Sequence, residues 1–307
     1  MKKLAIAAAV AALAAPAFAQ SSVTLWGRVN TSVESQKEGT GDRKVVVQDN
    51  RSRLGLKGVE DLGGGLKASF ELEHGFDADT GKQTNTAFWN RQASIQLAGD
   101  FGAVRLGRWT PGSYFATADY VSLHNHDTGT SSDALYSGAG FTETNKIGYF
   151  LPTIAGVTGE VAIHLGEGQE KRGLDAALNY DLGALHLGAG YSKQDNANQW
   201  ALRGLYELGA FTFGGYYQQE SVGGSKRKVV RLSGMYTLDA SEFHINYGVS
   251  SGTNDFASYG SKPTQLTLGY NYNLSKRTKL YAFLTEINAK KNAHDFSSLA
   301  VGVRHNF

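Results

Sequence analysis

The last nine residues, Leu299-Ala-Val-Gly-Val-Arg-His-Asn-Phe307, constrain the fold more than any other stretch. Leu299, Val301, Val303 and the terminal Phe307 share one face and Gly302 and Arg304 the other, a period of two that belongs to a strand. The same alternation recurs in Val23/Leu25, Leu54/Leu56, Leu66 to Leu72, Leu174 to Tyr180, Leu185 to Tyr191, Phe211 to Tyr217, Val230 to Tyr236, Phe243 to Val249 and Leu266 to Tyr272. Successive strand side chains point to opposite faces, so the chain reads as sheet throughout, apolar on one face and polar on the other.

The N-terminus indicates which solvent the apolar face meets. Met1-Lys2-Lys3, the apolar run Leu4 to Ala15 and the small-residue site Ala17-Phe18-Ala19 form the three regions of a secretory signal peptide at residues 1–19, leaving Gln20 as the mature terminus. That run is shorter than the roughly 20 residues a membrane helix needs. An exported chain of one-sided strands points to an outer-membrane β-barrel. Hydrocarbon cannot satisfy an open sheet edge, so residues 299–307 are expected to close on residues 22–34.

Two kinds of connection take turns along the chain. Tight ones fall at 61–65, 99–102, 152–156, 181–183, 208–209, 239–241 and 275–277; longer polar ones lie near 35–44, 77–86, 110–143, 166–172, 193–198, 220–228, 251–262 and 289–297. Seven turns and eight loops join sixteen strands, an all-β, antiparallel transmembrane barrel over residues 20–307 with short periplasmic turns and longer external loops. Sixteen strands enclose an aqueous lumen, which makes a channel the default function. A soluble β-sandwich or β-solenoid would alternate equally well, but the aromatics near strand ends and the terminal Phe307 speak for the membrane.

Composition supports this. Without Lys2 and Lys3, the 30 basic residues become 28 against 28 acidic ones, so nothing suggests a nucleic-acid partner. With no cysteine in an exported chain, a disulfide framework is excluded. The 38 glycines, 15 Tyr and 15 Phe suit tight turns and aromatic belts.

The segment Ser52 to Asp77, with its run Glu60-Asp61-Leu62-Gly63-Gly64-Gly65-Leu66-Lys67, closely resembles the beta-proteobacterial trimeric porins of the Gram-negative porin family. So do Ser21-Ser-Val-Thr-Leu-Trp-Gly27, Asn90-Arg-Gln-Ala93, Gly99-Asp-Phe-Gly102, Leu106-Gly-Arg108 and Leu274-Ser-Lys-Arg-Thr278, spread along the whole chain. The resemblance implies a general-diffusion porin in the cell outer membrane, assembled as a homotrimer among outer-membrane lipids, with the third loop folded into each lumen. It implies a passive channel for small hydrophilic and anionic solutes, with no cofactor. Terminal Phe307 is the residue expected to engage the outer-membrane assembly machinery. Loops four to six are shorter here than is usual in the family.

Parity supplies the lumen-facing residues. With Leu54 and Leu56 outward, Arg51, Arg53 and Lys57 turn inward; with Leu66, Phe70 and Leu72 outward, so do Lys67, Glu71 and Glu73. Ile147, Tyr149 and Leu151 leave Lys146 inward, and Arg28 and Arg105 follow. Arg53, Arg91 and Glu73 align with constriction positions of the family; together with Lys146, Arg51 and Lys67, which parity turns inward, the two arginines are expected to form a basic wall with Glu73 as its acidic spacer. An always-ionised guanidinium gives such a wall a lasting attraction for anions. Thr142 stands where the family has another arginine, which weakens or relocates that preference.

The third loop, about 110–143, is too long for a structureless connection. Asp119 is expected to be its acid facing the arginines. The His124-Asn-His126 pair lacks further fixed ligands and reads as solvent-exposed, so no metal site is assigned. Gln92, Ser94 and Gln96 read as outward, amides that another subunit would satisfy, which places the fourth strand in the trimer interface. An outer-membrane barrel enzyme is the first rival; no nucleophile motif supports it, and Ser131, Ser132, Asp133 and His126 merely share a loop. A substrate-selective channel for an anionic metabolite is the second; it needs an inward aromatic row, for which Tyr216 is one candidate.

Overall fold

The computed structural model describes residues 22–123, 133–252, 262–289 and 295–307. The segment 1–19 with its cleavage site, His124, His126, Asp127, Ser131 and Ser132 lie outside the described residues.

The strands are β1 (Ser22–Glu38), β2 (Lys44–Asp49 continued by Arg53–Gly63), β3 (Leu66–Asp77), β4 (Gln92–Gly99), β5 (Gly102–Arg108), β6 (Lys146–Phe150), β7 (Val157–His164) and β8 (Gly173–Leu182). They continue as β9 (Leu185–Gln194), β10 (Ala197–Leu208), β11 (Phe211–Val222), β12 (Ser225–Leu238), β13 (Ser241–Gly252), β14 (Thr264–Asn273), β15 (Thr278–Asn288) and β16 (Phe296–Asn306). A two-residue strand, Lys82–Gln83, pairs with the outer end of β3. Each stave pairs antiparallel with the next, and β16 pairs with β1, so the sheet is a closed sixteen-stave barrel.

Closure runs from Arg28 opposite Asn306 to Glu38 opposite Phe296. Gly27 and Phe307 then exchange backbone hydrogen bonds of 3.0 and 3.1 Å. The expected partner of 299–307 is therefore shifted outward, to 27–35. Residues Ser22 to Trp26 pair with β2 and not with β16, because barrel closure requires the register to stagger between first and last staves.

Outward and inward faces reverse the arrangement of a water-soluble protein. Leu25, Ile95, Leu202, Leu232 and Val301 are exposed, whereas Asn30, Ser32, Glu34, Gln199 and Gln218 are buried on the opposite face. An apolar band encircling the molecule suits hydrocarbon, not water. Near the tight-turn ends of β11 to β14, Phe211, Tyr236, Phe243 and Tyr270 form a row with successive ring centroids 4.8, 6.3 and 5.2 Å apart, the interfacial girdle of such a barrel.

Most turns match the sequence reading. The segments near 193–198 and 220–228, expected as longer polar connections, are paired hairpins instead. Gln194 faces Ala197 and Val222 faces Ser225, with Asp195 (φ 50°) and Gly223 (φ 58°) in left-handed turn positions. Asp and Gly adopt that conformation most readily, so a two-residue turn suffices.

Candidate pore constriction

The geometry begins at a break in β2. Arg51 adopts φ 62° between the two parts of the stave. The break is stitched to β1: Asn50 N–H donates to the Asn30 carbonyl (2.8 Å), Asn30 Nδ2 to the Asn50 carbonyl (2.9 Å) and Asn30 N–H to Ser52 Oγ (3.0 Å). Arg53 resumes the strand facing inward, and its Nε donates to the Arg51 carbonyl at 3.1 Å.

On neighbouring β3, Glu73 is only 3 % exposed. Its Oε1 accepts from Arg91 Nε at 2.6 Å and lies 3.6 Å from Arg53 Nη1. A single carboxylate thus sits between two guanidiniums, both still partly open to the lumen. Charge-assisted bonds fix the guanidinium planes, and the trio retains one net positive charge. Arg91 reaches this position from the bend preceding β4, where the Arg91 amide donates to the Glu73 carbonyl at 3.2 Å.

A second inward set lies on the turn side of the trio. Lys57 pairs across from Glu71, and Glu71 from Ser94. Arg105 Nε donates to Gln96 Oε1 at 3.1 Å and its guanidinium lies 4.7 Å from the centroid of the Phe150 ring. Ser94 and Gln96 therefore face the lumen with Glu71, and it is Ile95 and Leu97 that are exposed outward. This corrects the reading of β4: Arg91 belongs to the bend, so counting alternation from it shifted the whole strand by one residue. The amides of β4 cannot mark a subunit interface.

Other expected residues are not brought together with the trio. Lys67 is inward and exposed, but it stands next to the tight turn, six residues from Glu73 or about 20 Å along the stave. Arg51 is exposed in the break, where alternation no longer sets its direction. Lys146 faces inward yet is 2 % exposed: its Nζ donates to the Trp109 carbonyl at 3.3 Å and sits 4.3 Å from the Trp109 ring centroid. Thr142 is buried against Gly173.

That enclosure comes from the segment between β5 and β6. It opens with a helical turn, Gly112–Tyr114, and a π-helical turn, Phe115–Asp119. Arg108 pairs with Glu143 across its base, and Trp109 Nε1 donates to Glu160 Oε1 of β7 at 2.6 Å. Ser113 Oγ bonds Asp175 of β8. Arg203 Nε of β10 donates to the Ala116 carbonyl at 3.0 Å, and on β12 Arg231 Nη2 donates to that of Val121 (3.3 Å) and Arg227 Nη2 to that of Leu135 (3.2 Å). Gln218 Nε2 of β11 donates to the Ser137 carbonyl at 2.7 Å. Every one of these wall residues lies on the face opposite the exposed apolar rows, so the described parts of the segment, 109–123 and 133–143, run along the inner wall from β7 to β12. Half-buried Asp119 is presented from that wall, whereas the Arg53–Glu73–Arg91 trio is carried by β2 to β4 and the bend between them. Tyr216 faces inward but packs edge-on against Tyr136, ring centroids 5.6 Å apart, and offers no stacking platform to a solute.

Arg203, Arg227 and Arg231 are the anchors that sequence reasoning missed. Alternation with Leu202, Val230 and Leu232 turns them inward, but nothing local tells whether an inward arginine meets water or loop backbone.

Comparison with known proteins gives a consistent picture. The sequence profile of the Gram-negative porin family matches residues 5–292. The chain is 33% identical to outer membrane porin protein 32 of Delftia acidovorans, covering 99% of this chain and 94% of that protein. It is 28% identical to major outer membrane protein P.IB of Neisseria meningitidis over the full length of both. The anion-selective porin from Comamonas acidovorans superposes with a TM-score of 0.80 at 27% identity, covering 94% of this chain and 100% of that one.

Proposed function

The chain belongs to the Gram-negative porin family, whose members are outer-membrane channels and not enzymes, and on that premise we propose that Arg53, Glu73 and Arg91 line the constriction of a general-diffusion pore with modest anion preference. Small hydrophilic solutes and ions cross passively. The observation that carries the selectivity is the trio itself: one buried carboxylate shared by two arginines, with net positive charge turned to the lumen. The similarity to a protein described as an anion-selective porin supports the same sign.

Asp119, set on the inner segment across the lumen, is the opposing acid that gives a permeating ion a transverse field. Arg51 at the break and Lys67 at the turn end extend the positive wall along the path, and Lys146 contributes charge from beneath Trp109. The mature chain begins at Gln20 after removal of residues 1–19 and assembles as a homotrimer. Phe307, bonded to Gly27 at the seam, is the end that the assembly machinery reads. A metabolite-selective channel lacks support, since Tyr216 is covered.

Planar-bilayer recording tests the proposal. Conductance steps in triplets, with a zero-current potential of anionic sign across a KCl gradient, are the expected result. Cation selectivity would refute the role of the arginine trio, and monomers alone after cross-linking in mild detergent would refute the trimer.

A further inference from the structure

We propose that the inner wall on the turn side of the constriction carries a subsite for acidic α-amino acids, built from Lys57, Glu71 and Arg105. It goes beyond the charge selectivity of the trio and rests only on the reading of β2 to β5 as pore wall.

Cross-strand register sets these side chains beside one another. Lys57 pairs across from Glu71, and Glu71 from Ser94. One step of the alternation nearer the tight turns, Ser69 pairs across from Gln96, and Gln96 from Arg105. Two residues separate the rows, about 7 Å along the staves. All six residues border a hollow of about 180 Å³, the scale of a small metabolite and below that of a drug-sized ligand. Glu71 also stands about 7 Å along β3 from Glu73, so a solute leaving the trio meets this hollow next.

The charged groups are positioned while their hydrogen-bonding atoms stay available. Lys57 Nζ lies 5.8 Å from the Trp26 ring centroid, and the Arg105 guanidinium lies 4.7 Å from that of Phe150 and 5.6 Å from that of Trp109. Attraction to a ring face holds a cation without engaging its N–H donors. Arg105 commits only Nε, to Gln96. The charges of Arg105 and Lys57 both act on Glu71, yet among the described residues Glu71 makes no ion pair or hydrogen bond. Glu73, by contrast, is engaged by Arg91 and Arg53.

The order of the charges selects the ligand. Basic, acidic and basic groups are complemented by carboxylate, ammonium and carboxylate, the charge order of an acidic α-amino acid. Lys57, Glu71 and Arg105 sum to one positive charge, which a ligand with one ammonium and two carboxylates neutralises. A plain dicarboxylate would set like charge against Glu71, and a neutral amino acid would leave one cation unanswered. The hydroxyls of Ser69 and Ser94 supply further polar contacts. Ion pairs open to the lumen are weak, so the solute is retained briefly and the pore stays a general one.

The test is block of the KCl current through single channels of the purified protein in planar bilayers, at about 0.1 M salt where screening is modest. The probes are L-glutamate, glutarate and L-glutamine. Glutarate carries one more negative charge than glutamate, so a net positive pore alone would rank it first. The subsite ranks glutamate first, with a half-blocking concentration about threefold below those of glutarate and glutamine. In Glu71→Gln the order of glutamate and glutarate should reverse, and in Arg105→Gln glutamate should fall to the level of glutamine. The wild-type ranking needs no variant to fold. Glutarate blocking wild type as well as glutamate would overturn the proposal, as would an unchanged order in Glu71→Gln. Zero-current potentials in KCl alone read the trio separately: a cationic sign there refutes the constriction reading and leaves the glutamate ranking to support the subsite, whereas an anionic sign without that ranking overturns the subsite alone.

Discussion

Arg91→Gln and Glu73→Gln should move the selectivity of the channel in opposite directions. Glu73 is nearly enclosed and bonded to Arg91 at 2.6 Å, with Arg53 at 3.6 Å, so the trio carries one net positive charge. Arg91→Gln removes it; Glu73→Gln doubles it. An ion passing about 6 Å from the cluster in a water-like dielectric feels about 0.7 kcal/mol per unit charge. At 0.1 M salt, where the Debye length is about 10 Å, screening lowers this to about 0.4 kcal/mol. Because the anion gains what the cation loses, the permeability ratio shifts by about 0.8 kcal/mol, or about fourfold. At 1 M salt, with a Debye length of about 3 Å, the shift falls below about 1.5-fold. Zero-current potentials across KCl gradients at both ionic strengths read this directly. Arg91→Gln should lower the anion-to-cation ratio and Glu73→Gln raise it, with both effects fading in high salt. A shift of the same sign in both variants, or one independent of salt, would mean that pore shape and not charge sets selectivity, and would refute the reasoning.

Packing sets two further outcomes. Gly27→Val places a side chain where the Phe307 ring and the Arg53 carbonyl already sit; overpacking of about 1–3 kcal/mol at the seam should lower the heat-resistant folded fraction on gels, and a folded fraction equal to wild type would show that the seam does not depend on this contact. Arg231→Ala removes bonds to Ser122 Oγ, the Val121 carbonyl and Asn246 Oδ1. At about 1.5–3 kcal/mol per charged hydrogen bond, the inner segment should loosen and the open-channel current become noisier, without loss of the barrel; quiet openings identical to wild type would show that the remaining anchors suffice.

What the sequence determined by itself is what a period of two can encode: strands throughout, an apolar outward face, sixteen staves, and the inward aim of Arg53, Glu73 and Arg105. These are local properties, because each residue's face follows from its neighbours in the strand. Parity failed where the backbone leaves the strand. Arg51 at φ 62° interrupts β2, and Arg91 lies in a bend, so counting from it turned Gln92, Ser94 and Gln96 to the wrong side. The tertiary structure alone decided which inward charges meet: Glu73 with two arginines, Arg203, Arg227 and Arg231 with loop carbonyls, and Lys146 beneath Trp109. Those contacts join residues tens to over a hundred positions apart, and their geometry depends on the stagger of barrel closure and the path of one segment along the inner wall, neither of which leaves a periodic trace in the chain.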